Sequence, residues 1–315
     1  MELVSIIIPM LNAQAYVSKT LASLLLEHET PIEIIVVNDK STDESLARVL
    51  VFSDERIRLI DGPGRGISAC MNAGLAVARG AVIMRCDADD LYPAGRIARQ
   101  MAWLGANPEY AAVCGSFSAI DSRGRLVSDL KCGTEPAEIT SELRQGTVRT
   151  HFCTYAVRAE SVSKVGGFRE YFESAEDTDL QLRLGEAGRV GYLPAVSYFY
   201  RLHASSVTHR QSNVLRKFFE RTAFDFQVQR RTAGLDDLQW GRPPLKPNSA
   251  NSAPLSANAH VQSVLLGRAW REHATGKRAK ALVTGLRALA RNPFSVAVWK
   301  SMVALAWKSA AKGGE

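Results

Sequence analysis

The sequence predicts an α/β fold: a mostly parallel central sheet with helices on both faces, followed by a helical appendage. Three observations carry this. Short, wholly apolar runs at Val4–Ile8, Ile32–Val37 and Ala81–Met84 read as strands buried on both faces. Stretches of helical apolar spacing separate the strands, so the order is β-α-β-α-β-α-β. The run at Ala81–Met84 is followed by a carboxylate cluster, Asp87, Asp89 and Asp90. That cluster lies just past a strand's carboxyl end, which is where ligands bind in open α/β sheets.

Composition bounds the fold. With 315 residues, 46% hydrophobic and 23% charged, the chain suffices for one large α/β domain plus an appendage. Five scattered cysteines (Cys70, Cys86, Cys114, Cys132, Cys153) without a CxxC pair argue against a disulfide framework or a zinc site and suit a reducing cytoplasm. The opening MELVSIIIPM has no basic leader region. No apolar run approaches the roughly 18–20 residues that span a bilayer, so a soluble, cytoplasmic chain is expected. Charge is uneven: residues 201–315 carry 19 Lys+Arg against 6 Asp+Glu (net +13), leaving 20 against 26 (net −6) before them. An acidic first part and a basic tail imply different partners.

In order, Val4–Ile8 is ended by Pro9, and Asn12 starts a helix over about Gln14–Leu26 that buries Val17, Leu21, Leu24 and Leu25. Ile32–Val37 delivers Asn38-Asp39 into a turn, and Ser41-x-x-Glu44 fits a capping box for the next helix. Arg56–Ile60 is a third, shorter strand. Gly62-Pro63-Gly64-Arg65-Gly66 then enters a small-residue helix; it is not a P-loop, since no Lys-Ser/Thr follows. Its glycines allow close backbone approach to a ligand, and Arg65 could reach a base or phosphate. After the acidic cluster come a helix at Pro93–Leu104, a strand at Tyr110–Gly115, a hairpin at Ala119–Val127 and a helix at Pro136–Arg144. The polar-aromatic stretch Thr147–Val157 contains His151, read equally as structural or as an acceptor contact. Glu176-Asp177-Thr178-Asp179 opens a helix that stops at Gly188. Strands at Val190–Leu193 and Ser197–Tyr200 lead into Arg201-Leu202-His203-Ala204-Ser205-Ser206.

The carboxyl ends of the parallel strands bring Pro9, Asp39 and the acidic cluster to one rim. Asp39 is either a turn residue or an acceptor for a nucleobase or ribose. Three carboxylates in four residues repel one another unless a cation or several donors lie between them. The alternation Asp87-Ala88-Asp89 lets an extended loop aim two carboxylates at one hard divalent ion that clamps a diphosphate; a solvated acidic turn is the alternative. Carboxylates in a first helical turn are favoured by the dipole alone, and the same field favours a carboxylate in the charged form that a general base requires. Arg201 and His203, two apart on a strand, point the same way and offer a phosphate donor and an imidazole ligand.

The ordered segments SIIIPMLNAQAYVSKTLASLL, IEIIVVNDKSTDES, GISACMNAGLAVARG, MRCDADDLYPAGRIARQ, GGF, EDTDLQLRLGEAG and YRLHASSVTH resemble family 2 glycosyltransferases, over about residues 3–210. The resemblance implies an inverting, nucleotide-sugar-dependent enzyme of the GT-A fold, from the bacterial branch that builds surface polysaccharides and lipid-linked glycans. It implies that Pro9 and Asp39 line a uridine pocket with Arg65 and Asn72 nearby, Asn12 among the nucleotide-sugar contacts and Asp87 on the ribose. Asp89 would ligate Mn²⁺ or Mg²⁺ at the diphosphate, with His203 a further metal contact and Arg201 a phosphate contact. Asp177 would be the catalytic base, with Glu176 orienting acceptor or base. Two departures stand out: Lys40 replaces the family's usual glycine, and Thr147–Cys153 lacks its Asn-Pro or His-Pro pattern. A sugar nucleotidyltransferase would be expected to carry a glycine-rich basic loop after the first strand, where PMLNAQAY stands. A non-catalytic nucleotide-sugar-binding or scaffold protein is the other alternative.

The expected division is a catalytic domain at 1–210 (nucleotide half 1–115, acceptor half 116–210), a helix and Pro/Ser/Asn-rich connection at 211–258, and basic helices at 259–315. Leu215, Phe218, Phe219, Phe226 and Val228 form the apolar stripe of a helix at Asn213–Arg231, and Pro243, Pro244, Pro247 and Pro254 mark the connection. Helices at His260–Glu272, Lys277–Arg291 and Pro293–Ala311 follow, the last with Trp299, Val303 and Trp307 on one stripe and Lys300, Lys308 and Lys312 around it. Such helices either pack on the catalytic domain or a second subunit, or lie on the anionic cytoplasmic face of a membrane. Nucleic acid is not an expected partner, because the tail's aromatics fall on apolar stripes rather than in a basic groove.

Overall fold

The computed structural model describes residues 2–130, 132–203, 213–248, 257–274 and 276–307. Ala204–Ser206, Pro254, Lys308 and Lys312 lie outside them. The elements in chain order are β1 Val4–Met10, α1 Val17–Leu25, β2 Ile32–Asn38, α2 Ser45–Leu50, β3 Ile57–Asp61, α3 Ile67–Val77, β4 Val82–Arg85, α4 Arg96–Ala106, β5 Tyr110–Asp121, β6 Leu126–Leu130 and β7 Ala137–Glu138. There follow α5 Thr140–Arg144, a 3₁₀ turn at Phe152–Thr154, β8 Ala156–Arg158, α6 Ala159–Lys164, α7 Glu176–Ala187, β9 Arg189–Leu202, α8 Asn213–Ala233, α9 Ala257–Ala274, α10 Arg278–Arg291 and α11 Val296–Trp307.

Among the described residues, one nine-stranded sheet runs β3-β2-β1-β4-β8-β5-β9-β7, with β6 against β5. β1, β2, β3 and β4 are parallel, Ile6 pairing with Ile34 and Met84. Beyond β4 the pairing turns antiparallel: β8 lies between β4 and β5, and β7 pairs β9. The chain leaves β1 for β2 and β3 and returns to β4 on the other side, so the crevice above β1 is a topological switch point. Side chains of alternate hand fill two layers: Ile6, Ile8, Ile34 and Val36 with Leu21 and Leu24 of α1, and Ile7, Ile35 and Val37 with Cys70 and Met71 of α3.

Of the described residues, those within Met1–Ser118, Leu130–Tyr200 and Val214–Asn248 form one compact unit, and those within Ala119–Asp129, Arg201–Asn213 and Ser249–Glu315 a second. In the first unit, α8 buries Phe219, Ala223 and Phe226 against Phe172 and Leu182. Val228 is exposed, because it lies two residues past Phe226 on the opposite side of the helix. In the second, Ala269 of α9, Ala281 of α10 and Leu305 of α11 form a small core.

Several local expectations are corrected. Helix α1 begins at Val17, since Asn12 sits at φ +52° and is tied to the following loop: its amide donates to Ser41 Oγ (3.1 Å) and its Oδ1 accepts from the Thr42 amide (2.8 Å). Ser41 therefore caps no helix; Asp43 Oδ1 accepts from the Ser45 amide instead (2.9 Å). Pro136–Arg144 holds a short strand before its helix, and the two strands expected between Val190 and Tyr200 are one, β9. All five cysteines are free, and none but Cys132 is even partly exposed.

Candidate active site

The rim above β1 is built by three loops. Asp39 follows β2 and is buried; its Oδ1 accepts from the Gly64 amide (2.6 Å) and its Oδ2 from the Gly66 amide (3.2 Å). The carboxylate thus holds the glycine-rich loop as a backbone anchor. A Cβ on Gly62 would lie 2.9 Å from the Asp39 Cα, so no larger residue fits there. Lys40, noted above as replacing a glycine, has φ +63°, and its aliphatic stem lies against Gly64. Among the described residues, non-glycine positive φ occurs at Asn12, Lys40 and Ala175, each beside this rim or the helix start discussed next. Strain of this kind persists where the surroundings over-determine the backbone.

The acidic cluster after β4 divides by burial. Asp90 is buried and its carbonyl accepts from Thr20 Oγ1 (2.8 Å), whereas Asp87 and Asp89 are partly exposed. Tyr198 Oη accepts from the Asp87 amide (3.0 Å). The fully buried Arg96 stacks over Tyr92 at 3.8 Å and donates to Gln100 and to the Tyr155 carbonyl, bracing the floor beneath.

The central feature is Arg85, the last residue of β4. Its Nε donates to Asp87 Oδ1 (2.7 Å) and its Nη1 to Glu176 Oε1 (2.9 Å), so one buried guanidinium joins the acidic cluster to the first turn of α7. Burial works to raise the Asp87 pKa, but the Arg85 charge and hydrogen bond hold it below the usual carboxylate value. Burial pushes the Glu176 carboxyl up, to about 7, against the pull of Arg85, and the Asp177 charge adds to the rise. Asp177 is only partly buried, and its Oδ1 accepts from the Thr178 amide (2.8 Å) in the helix's first turn. His151 stands between the two groups: its Nδ1 accepts from the Cys153 amide (3.2 Å) and its ring stacks on Tyr198 at 5.8 Å. Burial pushes its pKa down, while the charges of Asp177 and Asp87 pull it back.

Helix α7 is fastened from below. Asp179, fully buried, pairs with Arg169 and with Arg183 (2.7 Å); Arg169 also binds the buried Asp236 (2.6 Å), which Arg230 shares (2.6 Å). Arg230 in turn holds Glu186 at the other end of α7 (2.8 Å). Burial alone would raise the Asp236 pKa, but these two arginines hold it below its ordinary value.

The other expected residues are placed as follows. Pro9 is in β1, paired in register with Val37 beside the rim. Arg65 is well exposed and pairs with Glu170 (2.9 Å). Asn72 spends both ends of its amide on Phe168, donating to its carbonyl (2.8 Å) and accepting from its amide (3.0 Å). Arg201 and His203 belong to the second unit; Arg201 is buried at the end of β9 and donates to the carbonyls of Asp121 (3.2 Å) and Ser122 (3.4 Å). His203 lies just past the strand end and is partly buried. The sequence reading missed Arg85, Arg169 and Asp236. Arg85 did leave a signal, since a charged residue closing a buried strand requires a partner.

One grouping and one single carboxylate bear on a metal. Asp87, His151 and Cys153 bring one ligand atom each within 4.8 Å. This trio suits a hard cation poorly: Arg85 already holds the carboxylate, and burial pushes the Cys153 thiol pKa far up. Asp89 fits better, as a partly exposed carboxylate on the rim loop, because Mg²⁺-type ions bind through one or two carboxylates plus substrate phosphates.

Comparison with known proteins agrees with this architecture. The family model described as Glycosyl transferase family 2 matches residues 5–173. A hyaluronan synthase of Pasteurella multocida is 27% identical over 218 residues, covering 68% of this chain and 22% of that protein. The uncharacterized glycosyltransferase EpsJ of Bacillus subtilis is 32% identical over 218 residues, 65% of this chain and 63% of that protein. The chain thus spans about a fifth of the former's length and under two-thirds of the latter's. The structure of S. aureus TarS 1-349 in complex with UDP-GlcNAc is similar over 96% of this chain and 79% of that one, with TM-score 0.60 and 18% identity, a likeness of fold.

Proposed function

We propose, from the premise that the chain belongs to glycosyl transferase family 2, that it is an inverting glycosyltransferase. It moves a hexose-type sugar from a nucleotide-linked donor, a UDP-sugar, to a hydroxyl of a glycan or lipid-linked acceptor, in cell-surface polysaccharide synthesis at the cytoplasmic side of the membrane. The observation that carries this reading is the Asp87–Arg85–Glu176 bridge, which ties a donor-side carboxylate loop to a helix start bearing a second carboxylate, Asp177. Inversion needs these two poles: a base on one face of the anomeric carbon and charge stabilisation at the leaving diphosphate on the other. UDP-GlcNAc in the TarS complex supports a UDP-sugar donor.

In this reading Asp177 accepts the proton of the acceptor hydroxyl as its oxygen bonds to the anomeric carbon and the bond to the diphosphate breaks. Glu176, held by Arg85, fixes the direction of Asp177. Pro9, Asn12 and the loop anchored by Asp39 shape the nucleotide pocket, with Arg65 and Asn72 at its border and Asp87 at the ribose. Asp89 would hold Mn²⁺ or Mg²⁺, which when bound neutralises charge developing on the diphosphate.

Thermal shift with nucleoside diphosphates and their sugars, each with and without Mn²⁺, tests the donor pole. The expected result is stabilisation by UDP compounds that grows with metal and is lost in Asp89→Asn. A metal-independent response, or none to any nucleotide, would contradict the assignment.

A further inference from the structure

The hairpin of α10 and α11 is built for a surface outside the chain. Helix α11 buries Val298 and Leu305 on one side, with Met302 packed between them against the small core. Its opposite side is also apolar. Val296, Trp299, Val303 and Trp307 recur at i, i+3, i+7 and i+11 and are 67%, 51%, 61% and 88% exposed. Phe294, just before the helix, is 91% exposed. A helix apolar all round is normally buried all round, so this face is unfinished as it stands. Helix α10 adds exposed Val283 and Leu286.

Charge selects the occupant. Residues 276–307 contain six basic residues (Lys277, Arg278, Lys280, Arg287, Arg291, Lys300) and no acidic one. Lys300 falls within the exposed α11 stripe itself, and Lys277, Lys280 and Arg287 are exposed on and beside α10. A second copy presenting the same face would set this charge against its equal and be repelled. An anionic lipid surface meets both demands, with headgroups for the lysines and arginines and an interfacial zone for tryptophan and phenylalanine. Among the described residues no helix is long and apolar enough to cross a membrane, so contact is with the surface.

We propose that the α10–α11 hairpin docks the protein on an anionic phospholipid surface, with Phe294, Val303 and Trp307 inserting and Lys277, Arg287 and Lys300 contacting headgroups. This stands apart from the catalytic reading, and its test does not use transfer activity. The full chain is sedimented with phosphatidylcholine vesicles with and without phosphatidylglycerol, at low and raised salt, alongside two triple variants. One is Phe294→Ser/Val303→Ser/Trp307→Ser; the other is Lys277→Glu/Arg287→Glu/Lys300→Glu. All six positions are exposed, so both variants should keep the wild-type melting temperature.

Wild type should sediment with the anionic vesicles alone, less so at raised salt, with tryptophan emission shifting to the blue. Charge reversal should lower partitioning roughly a hundredfold, and the serine variant by at least about tenfold. Equal binding to both vesicle types, no binding to either, or binding unaltered in both variants would overturn the proposal. So would a dimer in light scattering that the serine variant dissolves, which would assign the face to a second copy.

Discussion

The two carboxylate poles of the site are held in different ways. On the proposed donor side, positioning is mostly local: Asp39 anchors backbone amides of the next loop, and Asp87 sits two residues from the arginine that binds it. On the α7 side it is long-range. Glu176 is held by Arg85, and Asp179 reaches Asp236 through Arg169. The rim follows from strand ends and tight loops, whereas the start of α7 depends on buried ion pairs among distant segments. Damage to the two should therefore differ in kind, with loss of affinity at one pole and loss of rate at the other.

Arg85 belongs to both poles, and its removal should have the largest effect. Arg85→Met leaves Glu176 and Asp87 near one another without their shared cation; breaking a buried pair in this way costs about 3 kcal/mol. Urea denaturation should show that loss, and both donor affinity and turnover should fall. A variant as stable as wild type would remove the bridge from the account.

Arg169→Met sharpens the contrast. Asp179 retains Arg183 and Asp236 retains Arg230, so the expected cost is smaller, about 2 kcal/mol. Calorimetry should show donor binding near wild type while turnover drops; a change confined to donor affinity would contradict the division.

The smallest effect concerns pH. The Glu176 carboxyl is raised from 4.5 to about 7, so the native state keeps a proton that the unfolded chain releases. Its contribution to stability is full below about pH 4.5 and is lost as pH rises through 7. Glu176→Gln should flatten the decline in stability over that window by up to about 1 kcal/mol per pH unit. Denaturation midpoints at several pH values would measure this, and a parallel decline in both proteins would count against the raised carboxyl.

The same contrast explains what the sequence made legible. The strands, the rim loops and the acidic cluster are contiguous patterns, and the structure places them where apolar runs and strand ends require. The α7 start was readable too, through Glu176-Asp177-Thr178-Asp179 and the stop at Gly188. Arg169, Asp236 and Arg230 were not, because a buried ion network among distant segments leaves no periodic trace. Asn72 shows the limit from the other side: a polar residue beside a glycine loop looks available for a ligand, yet its amide is committed to the Phe168 backbone. The resemblance marked Asn12 and Lys40, but their left-handed backbone is visible only in the fold.

The central claim is that Asp177 supplies the base of a pole separate from the donor pole. Its most direct test is Asp177→Asn, with turnover and donor affinity measured on the same preparation. Loss of a general base predicts a fall in transfer of about a thousandfold with donor affinity essentially unchanged. Transfer near the wild-type rate, or a donor affinity that collapses along with it, would contradict the account.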